Sequence, residues 1–592
     1  MVITEKIKKS ATILSILFIL VVLLIQSFNL QVVKGVFYSQ ESSQYIITTS
    51  YKSAPRGNFY DKNGVLLTDN KEVFTVYLKL NNRIEENIEA LKTSELYEDE
   101  NLRTSIAKYT PESNQNFLLY KNVEFSRIEK LNNILGENKK DLIVESNFVR
   151  NYPFPYQYSH IIGYTKLAGE EELRSGYSVN DYVGAYRLEK QWDKVLQGKK
   201  GEQLSLDNTL IEIPPSAGGS VKLTLDNNWQ GILYNLFRKY DDLYKGIGSA
   251  GGGGVVLDIE TGEIIALVSY PGFDTNSLTL GISKQDYDAL LFTREKPLID
   301  KAIGTAASPG STFKLVTSYS LLENGTITPN SSYFSNRCIK LSSTTEFCEF
   351  GKNFYGQMDL NRALYVSSNL YFCHYIQKLE ESKGIETFVK NANQLGIGES
   401  LSIDLEGAVQ GNMDSPEYKS NVEGLDWFAG NSCNAAIGQG AVLVTPLHMA
   451  LVVAALENHG KIPKPFVVRE VTDYSGVEVY KVEPEIERQV FIEKEHAEAI
   501  LAGMRSVVVN YESAVAPFLK DLPGNVRAKT GSAETFEFFE TGGYAERTHS
   551  WIVGSFEKNG RKYAFAFFQQ YGGGGYYIAP MLMDFINEIY AI

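Results

Sequence analysis

Histidine and cysteine are both scarce, six of the first and four of the second among 592 residues. Cys338, Cys348, Cys373 and Cys433 form no CxxC pair and no Cys/His ligand spacing, so neither a zinc site nor any other metal or cofactor is implied. Basic charge is in deficit as well. With 57 Lys and Arg against 71 Asp and Glu the net charge is −14, and no basic run is set apart from it, which excludes a nucleic-acid partner. Internal repeats, low-complexity stretches and a second long apolar run are also missing. What is present is ordinary globular composition: 43% hydrophobic residues, with 31 Phe and 36 Tyr to fill packed interiors. The length is more than one core serves, so at least two domains are expected.

One apolar run stands apart. From Ala11 to Leu30, ATILSILFILVVLLIQSFNL carries no charge. Twenty residues at ~1.5 Å each span the ~30 Å hydrocarbon core of a bilayer. Lys6, Lys8 and Lys9 precede the run, while Gln26, Ser27, Asn29 and Gln31 crowd its far end. The positive-inside bias then predicts a cytoplasmic tail over 1–10, a single transmembrane helix over 11–33 and an extracytoplasmic remainder. A cleaved signal peptide is the rival reading, but LQVVKGVFYSQ offers no cleavage site of small residues. Outside the membrane Cys338 and Cys348 either bridge a short hairpin or stay as two buried free thiols, and both readings stand.

The chain changes character near Gly248. Residues 34–247 mix strand-like pieces such as EVFTVYLKL with charged, helix-favouring stretches such as RIEENIEALKTSELYEDENLRTSIAKY, and read as an extended α+β pedestal. After the glycine-rich GSAGGGG comes VVLDIETGEIIALVSYP, two apolar strands about a Thr261-Gly262 turn. Near the other end THSWIVGSFEKNGRKYAFAFFQQYG is again strand, Asn-Gly turn, strand. Residues 248–592 are therefore expected to form an α/β (α+β) domain, an antiparallel sheet with helices on both sides.

Three short motifs in this domain carry chemistry. In SPGSTFKLV, Pro309 and Gly310 force a turn, so Ser311 is predicted to open a helix and Lys314 to share its face. An amine there can take the proton that an alcohol nucleophile must lose. The bland alternative is a helix cap followed by a solvated lysine. Ser555 and Lys558 repeat the SxxK spelling on a predicted strand, where alternation parts their side chains. The second motif, Ser367-Ser368-Asn369, interrupts an apolar segment. There Ser367 could relay a proton and Asn369 hold a substrate amide, or the triplet is a helix cap. Ser432-Cys433-Asn434 repeats that spelling. The third is Lys529-Thr530-Gly531-Ser532 on a predicted edge strand, where the glycine lets a substrate backbone approach. A phosphate-binding loop fails here, because Ala528 and Pro523 stand where it needs glycine.

The order SxxK, SxN, KTG resembles the penicillin-recognising serine acyltransferases. RGNFYDKNG from Arg56, RNYPFPYQYSHIIGYT from Arg150, DYVGAYRLEKQWDKVLQGKKG from Asp181 and AAIGQGAVLVTPLHMA from Ala435 are similar to segments of class B penicillin-binding proteins, the elongation-type branch more than the division-type. The resemblance implies a peptidoglycan D,D-transpeptidase serving cell elongation and shape. It would cross-link stem peptides through a serine acyl-enzyme with release of D-alanine, and be a target of β-lactams. Ser311 would be the nucleophile and Lys314 its base, its pKa lowered by burial and by the nearby cation Lys529. Ser367 and Asn369 would assist. Lys529, Thr530, Gly531 and Ser532 would face the substrate carboxylate. The backbone N–H groups of Ser311 and Ser532 would form the oxyanion hole, each worth ~3 kcal/mol. Expected partners are the membrane, a multi-spanning glycan polymerase of the SEDS type and elongation-complex proteins. Departures from the family pattern are Ala528 before the KTG, Ser532 after it, and Arg187 where a glycine is usual. Two other readings are a β-lactamase or β-lactam sensor, for which Glu417 and Asn421 spell an ExxxN, and a catalytically idle scaffold.

Overall fold

The computed structural model describes residues 19–28, 48–110, 116–178, 180–206, 209–343, 345–538 and 544–592. Among these, no helix is long and apolar enough to cross a membrane. Of the span expected over 11–33, residues 19–28 are helical and the rest lies outside the described residues.

Two compact units interleave along the chain. Of the described residues, the first comprises those before Arg56 together with Val73–Phe148 and Gly198–Ala217, the second Arg56–Glu72, Val149–Gln197 and Gly218–Ile592. In the first, the strands Phe117–Val123, Asp69–Leu78 and Leu142–Asn151 form one sheet, in that order. The charged stretch read as helix-favouring folds as Ile84–Lys92 and Glu100–Ala107. Asp99 starts the second of these by accepting the N–H groups of Asn101 and Leu102. Ile88, Leu91, Leu102, Leu119 and Leu131 pack together as this unit's core.

The second unit is built on a five-stranded sheet. Its strands are β1 (Gly252–Asp258), β2 (Ile264–Tyr270), β3 (Arg527–Phe538), β4 (Tyr544–Lys558) and β5 (Arg561–Gln569), in the order β2-β1-β5-β4-β3. Every pairing is antiparallel. Side chains alternate between two cores, as a period of two requires: Val255 and Leu257 go to one, Val256 to the other, and Ala566 and Phe568 oppose Phe565 and Phe567. Helices cover both faces. On one side lie α1 (Asn227–Tyr244) and, at the far end of the chain, Ala579–Ala591. On the other, Pro446–Glu457 is apolar all round and wholly buried. The TPL wording is helix-start chemistry, with Thr445 accepting the His448 N–H and Pro446 in the first turn.

The second compact unit takes in residues on both sides of the boundary expected near Gly248. Helix α1 belongs with the sheet, since Trp229, Leu233 and Phe237 share a core with Val256 and Phe567. Within the glycine-rich run, Gly252 to Gly254 are strand residues under close packing. A Cβ on Gly253 would meet the Lys301 carbonyl oxygen at 2.3 Å, and one on Gly254 the Phe237 ring at 2.7 Å.

Three segments quoted from the first half of the chain converge on one buried carboxylate. Glu189 accepts from Arg56 Nε and Arg150 Nε, both at 2.6 Å, and Arg56 also pairs with Asp193 at 2.8 Å. Burial works against the charge on Glu189, but Arg150 and Arg56 together hold its pKa below the usual carboxylate range. Nearby, Arg187 takes φ +51°, a left-handed conformation that glycine adopts freely, and pairs with Asp300 at 2.7 Å. Replacing Glu189 by leucine leaves two buried guanidinium groups without their shared anion. The expected loss is about 3–5 kcal/mol of stability, read as a lowered midpoint in thermal or urea unfolding.

Candidate active site

Ser311 does not open an α-helix. It sits on a 3-10 turn, Gly310–Phe313, which leads into α2 (Lys314–Glu323). The tighter turn eclipses residues three apart, so Ser311 and Lys314 align more closely than on an α-helix. Gly310 makes this possible. Its φ is +54°, and a Cβ there would lie 2.4 Å from the Ser532 carbonyl oxygen on β3. Two more motif glycines serve the same approach. A Cβ on Gly531 would meet the Pro309 carbonyl oxygen at 2.4 Å, and one on Gly438 the Gly310 carbonyl oxygen at 2.3 Å. The space that Gly531 clears is thus filled by the turn that carries Ser311.

The second motif lies at a junction of two helices. The helix Leu360–Tyr365 ends, Ser367 takes φ +59°, and Ser368 caps the helix Asn369–Lys383 by accepting the Tyr371 N–H. Ser368, not Ser367, is therefore the cap. At that corner Ser367 turns toward both lysines. Lys314 Nζ donates to the Ser367 carbonyl oxygen at 2.7 Å and to Asn369 Oδ1 at 2.8 Å, and lies 3.4 Å from Ser367 Oγ. Lys529 Nζ donates to the same Oγ at 2.9 Å and to the Thr530 carbonyl oxygen at 2.9 Å. The spelling at Ser432 does something else, because its hydroxyl accepts from Trp427 Nε1 at 2.8 Å. Ser555 and Lys558 part as expected, to Glu457 and to the Ile589 carbonyl. Glu417 lines a separate groove with Glu386, Lys390, Arg488 and Phe491.

Lys314 is fully buried and Lys529 nearly so. Burial pulls Lys314 down to about 7, with the negative charge of Glu349 pulling the other way. Lys529 is pushed well below the usual lysine range by burial and then by the charge of Lys314. Burial is the first cause for both lysines, and the repulsion between the two ammonium groups is mutual, so a proton on either disfavours one on the other. Such a pair readily holds one proton between its members across a shared hydroxyl. Thr530 and Ser532 are half-buried on the sheet edge, and Ser532 Oγ accepts from the Gly575 N–H at 2.8 Å. Ala528 is buried in the core beneath, with Ile552 and Phe565.

Two features were not legible in the sequence. One is the disulfide from Cys373 to Cys433; the other disulfide, Cys338 to Cys348, was one of the two readings open for that pair. Glu349 sits in a stretch without a motif, yet its carboxylate lies directly under the second one, accepting the Asn369 N–H.

The family description "Penicillin binding protein transpeptidase domain" matches residues 252–586, and "Penicillin-binding Protein dimerisation domain" matches 51–210. The chain is 25% identical over 603 residues to the peptidoglycan D,D-transpeptidase MrdA of Escherichia coli, covering 97% of this chain and 93% of that one. A penicillin-binding protein (PBP2) from Helicobacter pylori, solved in complex with MreC, superposes with a TM-score of 0.77 at 24% identity, over 92% of this chain and 99% of that one. A chain of a peptidoglycan synthase complex, solved for its coordination of polymerization and crosslinking, has a TM-score of 0.72 at 25% identity, over 99% and 98%.

The lysine geometry sets a pH dependence. Below about 7 Lys314 carries its proton and cannot accept another, so acylation of Ser311 should fall with acidity along a one-proton limb centred near pH 7. Stopped-flow acylation by a thioester donor across the neutral range checks this. Lys314→Met should cost about 10²- to 10⁴-fold and abolish the limb.

Proposed function

The chain belongs to the penicillin-binding-protein transpeptidase family, and from that premise we propose that it is a peptidoglycan D,D-transpeptidase of the elongation type. The observation that carries the reading is the lysine pair. A buried amine poised near neutrality lies three residues after a half-exposed serine on an eclipsed turn, and a second lysine shares the Ser367 hydroxyl with it.

The steps follow from these positions. Ser311 Oγ attacks the carbonyl carbon of the penultimate D-alanine of a stem peptide, and Lys314 Nζ takes the hydroxyl proton. The developing oxyanion lies between the backbone N–H groups of Ser311 and Ser532, whose main chains the Gly310 contact brings together. Collapse breaks the peptide bond. The leaving amine of D-alanine receives its proton through Ser367 from the lysine pair, which leaves a Ser311 acyl ester. An amine of a neighbouring strand then attacks the ester, and the same groups run in reverse. Asn369 Oδ1 orients Lys314, and Lys529 with Thr530 meets the terminal carboxylate. That carboxylate would also stabilise charge on Lys529, so substrate binding itself draws a proton onto the pair.

An anchored location fits the same reading. Ile19, Leu20, Leu23, Leu24, Ile25 and Phe28 are all more than half exposed on the helical residues 19–28, which suits a lipid surround and not water. We read the chain as single-pass, with its catalytic unit outside the cytoplasmic membrane. A multi-spanning glycan polymerase of the SEDS type and elongation-complex proteins are the proposed partners, by likeness to the solved assemblies.

Intact-mass analysis of the full-length chain in detergent with benzylpenicillin tests the function. One long-lived adduct of the drug's mass is expected, absent in Ser311→Ala. Absence of any adduct overturns the reading, and rapid release of hydrolysed drug replaces it with a β-lactamase.

A further inference from the structure

Glu349 is 2% exposed and follows directly on the Cys338–Cys348 disulfide. The strands Cys338–Lys340 and Glu346–Cys348 pair as a hairpin that the bridge closes at its open end, and the Glu349 N–H donates to the Arg337 carbonyl at 2.8 Å. This fixes the backbone of Glu349. Its side chain then gathers four donors: the hydroxyls of Ser335 and Ser368, and the N–H groups of Asn369 and Leu370. An ionised carboxylate, acceptor at every lone pair, takes all four at once, and an anion is favoured at the start of the fifteen-residue helix Asn369–Lys383.

The consequence reaches Lys314 by two routes. Asn369 is held from three sides: its N–H by Glu349, its Nδ2 by the Cys348 carbonyl at 3.3 Å, and its Oδ1 by Lys314 Nζ at 2.8 Å. That arrangement leaves one orientation of the amide, oxygen toward the lysine. Ser367, one residue before the Ser368 cap, is turned by the same junction toward both lysines. The second route is through charge. Among the described groups, Lys314 on α2, Tyr333 on the strand Tyr333–Asn336 and Tyr355 on the strand Phe354–Met358 feel the Glu349 carboxylate. Burial and then that charge raise both tyrosines, so they stay neutral through the working range. Lys529 faces Lys314 with the opposite sign of effect.

Resting on the transpeptidase reading, we propose that Glu349 is a positioning residue for the acyl transfer. Its buried carboxylate fixes Ser367 and Asn369 against Lys314 and supplies the negative charge that faces that ammonium. It touches neither substrate nor Ser311 and works through the second motif. Without it the amine is both misplaced and less basic.

The test measures the second-order rate of acylation by benzylpenicillin against pH for the full-length chain in detergent, in the wild type, Glu349→Gln and Glu349→Asp. Glutamine keeps the size but loses the charge and brings N–H groups to face N–H groups. It should slow acylation about tenfold or more and move the acidic limb down by about one pH unit. Aspartate keeps the charge but shortens the reach, so acylation should slow while the limb stays at the wild-type position. A glutamine variant that is slow with an unmoved limb makes Glu349 a plain helix cap and overturns the proposal, as does one with the wild-type rate and limb. Should the glutamine variant fail to fold, the aspartate variant decides, and a wild-type rate there overturns the proposal. A wild type that takes up no penicillin overturns the transpeptidase reading and this proposal with it, whereas wild-type uptake with unaltered variants overturns the role of Glu349 alone.

Discussion

Two lysine side-chain amines converge on one serine hydroxyl in the interior of a protein whose net charge is −14. Neither would be buried for stability's sake, since desolvating an ammonium costs several kcal/mol and a second nearby positive charge adds to it. The arrangement holds only because three otherwise separate elements close around it. The turn before α2 brings Lys314, the corner between two helices brings Ser367 and Asn369, and the sheet edge brings Lys529. The turn and the helix corner share the core on one face of the sheet, with Phe313, Leu364 and Tyr371, while Ala528 of the edge strand lies in the core on the other. The electrostatic cost at the centre is offset by packing on both faces of the five-stranded sheet.

Close approach is the means. A turn lies flat against the edge of a sheet only where backbone meets backbone, and Gly310 and Gly531 are the positions where it does so, with Gly438 packed on the backbone of Gly310. A side chain at Gly310 or Gly531 would hold the turn off the sheet, and Ser311 would then lose its alignment with the backbone at Ser532. The glycines of the motifs are in this sense packing residues. They act on the chemistry through distance, in the same way that Ser367 acts through its left-handed backbone.

Much of this was legible in the sequence because it is local. SxxK, SxN and KTG each name side chains whose partners lie within a few residues or in another motif, and the hairpins at Thr261-Gly262 and Asn559-Gly560 announce the sheet through turn chemistry and alternation. What escaped depends on contacts between distant segments. The glycine-rich run after Gly248 carries no side chains to show what packs on it, yet Phe237 and Lys301 press on the strand residues Gly252 to Gly254 there. Arg187 broke a pattern whose glycine reflects a left-handed backbone, and the ion pair to Asp300 that lets an arginine stay there lies more than a hundred residues away in sequence. The Cys373–Cys433 bridge and the donors around Glu349 likewise join segments whose separation no periodicity encodes.

Two of the carboxylates buried in the second unit, Glu189 and Glu349, are satisfied in opposite ways, and the contrast separates stability from function. Glu189 is matched by arginines, so its charge is cancelled where it stands and reaches little beyond Arg56, Arg150 and their neighbours. Glu349 has hydroxyls and backbone N–H groups around it, which satisfy its lone pairs without cancelling its charge. The uncancelled part acts on the nearest cation. That cation is Lys314, the group whose proton affinity must sit near neutrality in the proposed acyl transfer. Had an arginine filled the place of Ser335 or Ser368, the second motif would be held as firmly, but burial alone would then govern the lysine, and the amine would drift toward a permanently neutral, weaker base. A carboxylate bonded only by neutral donors is the arrangement that does both tasks at once.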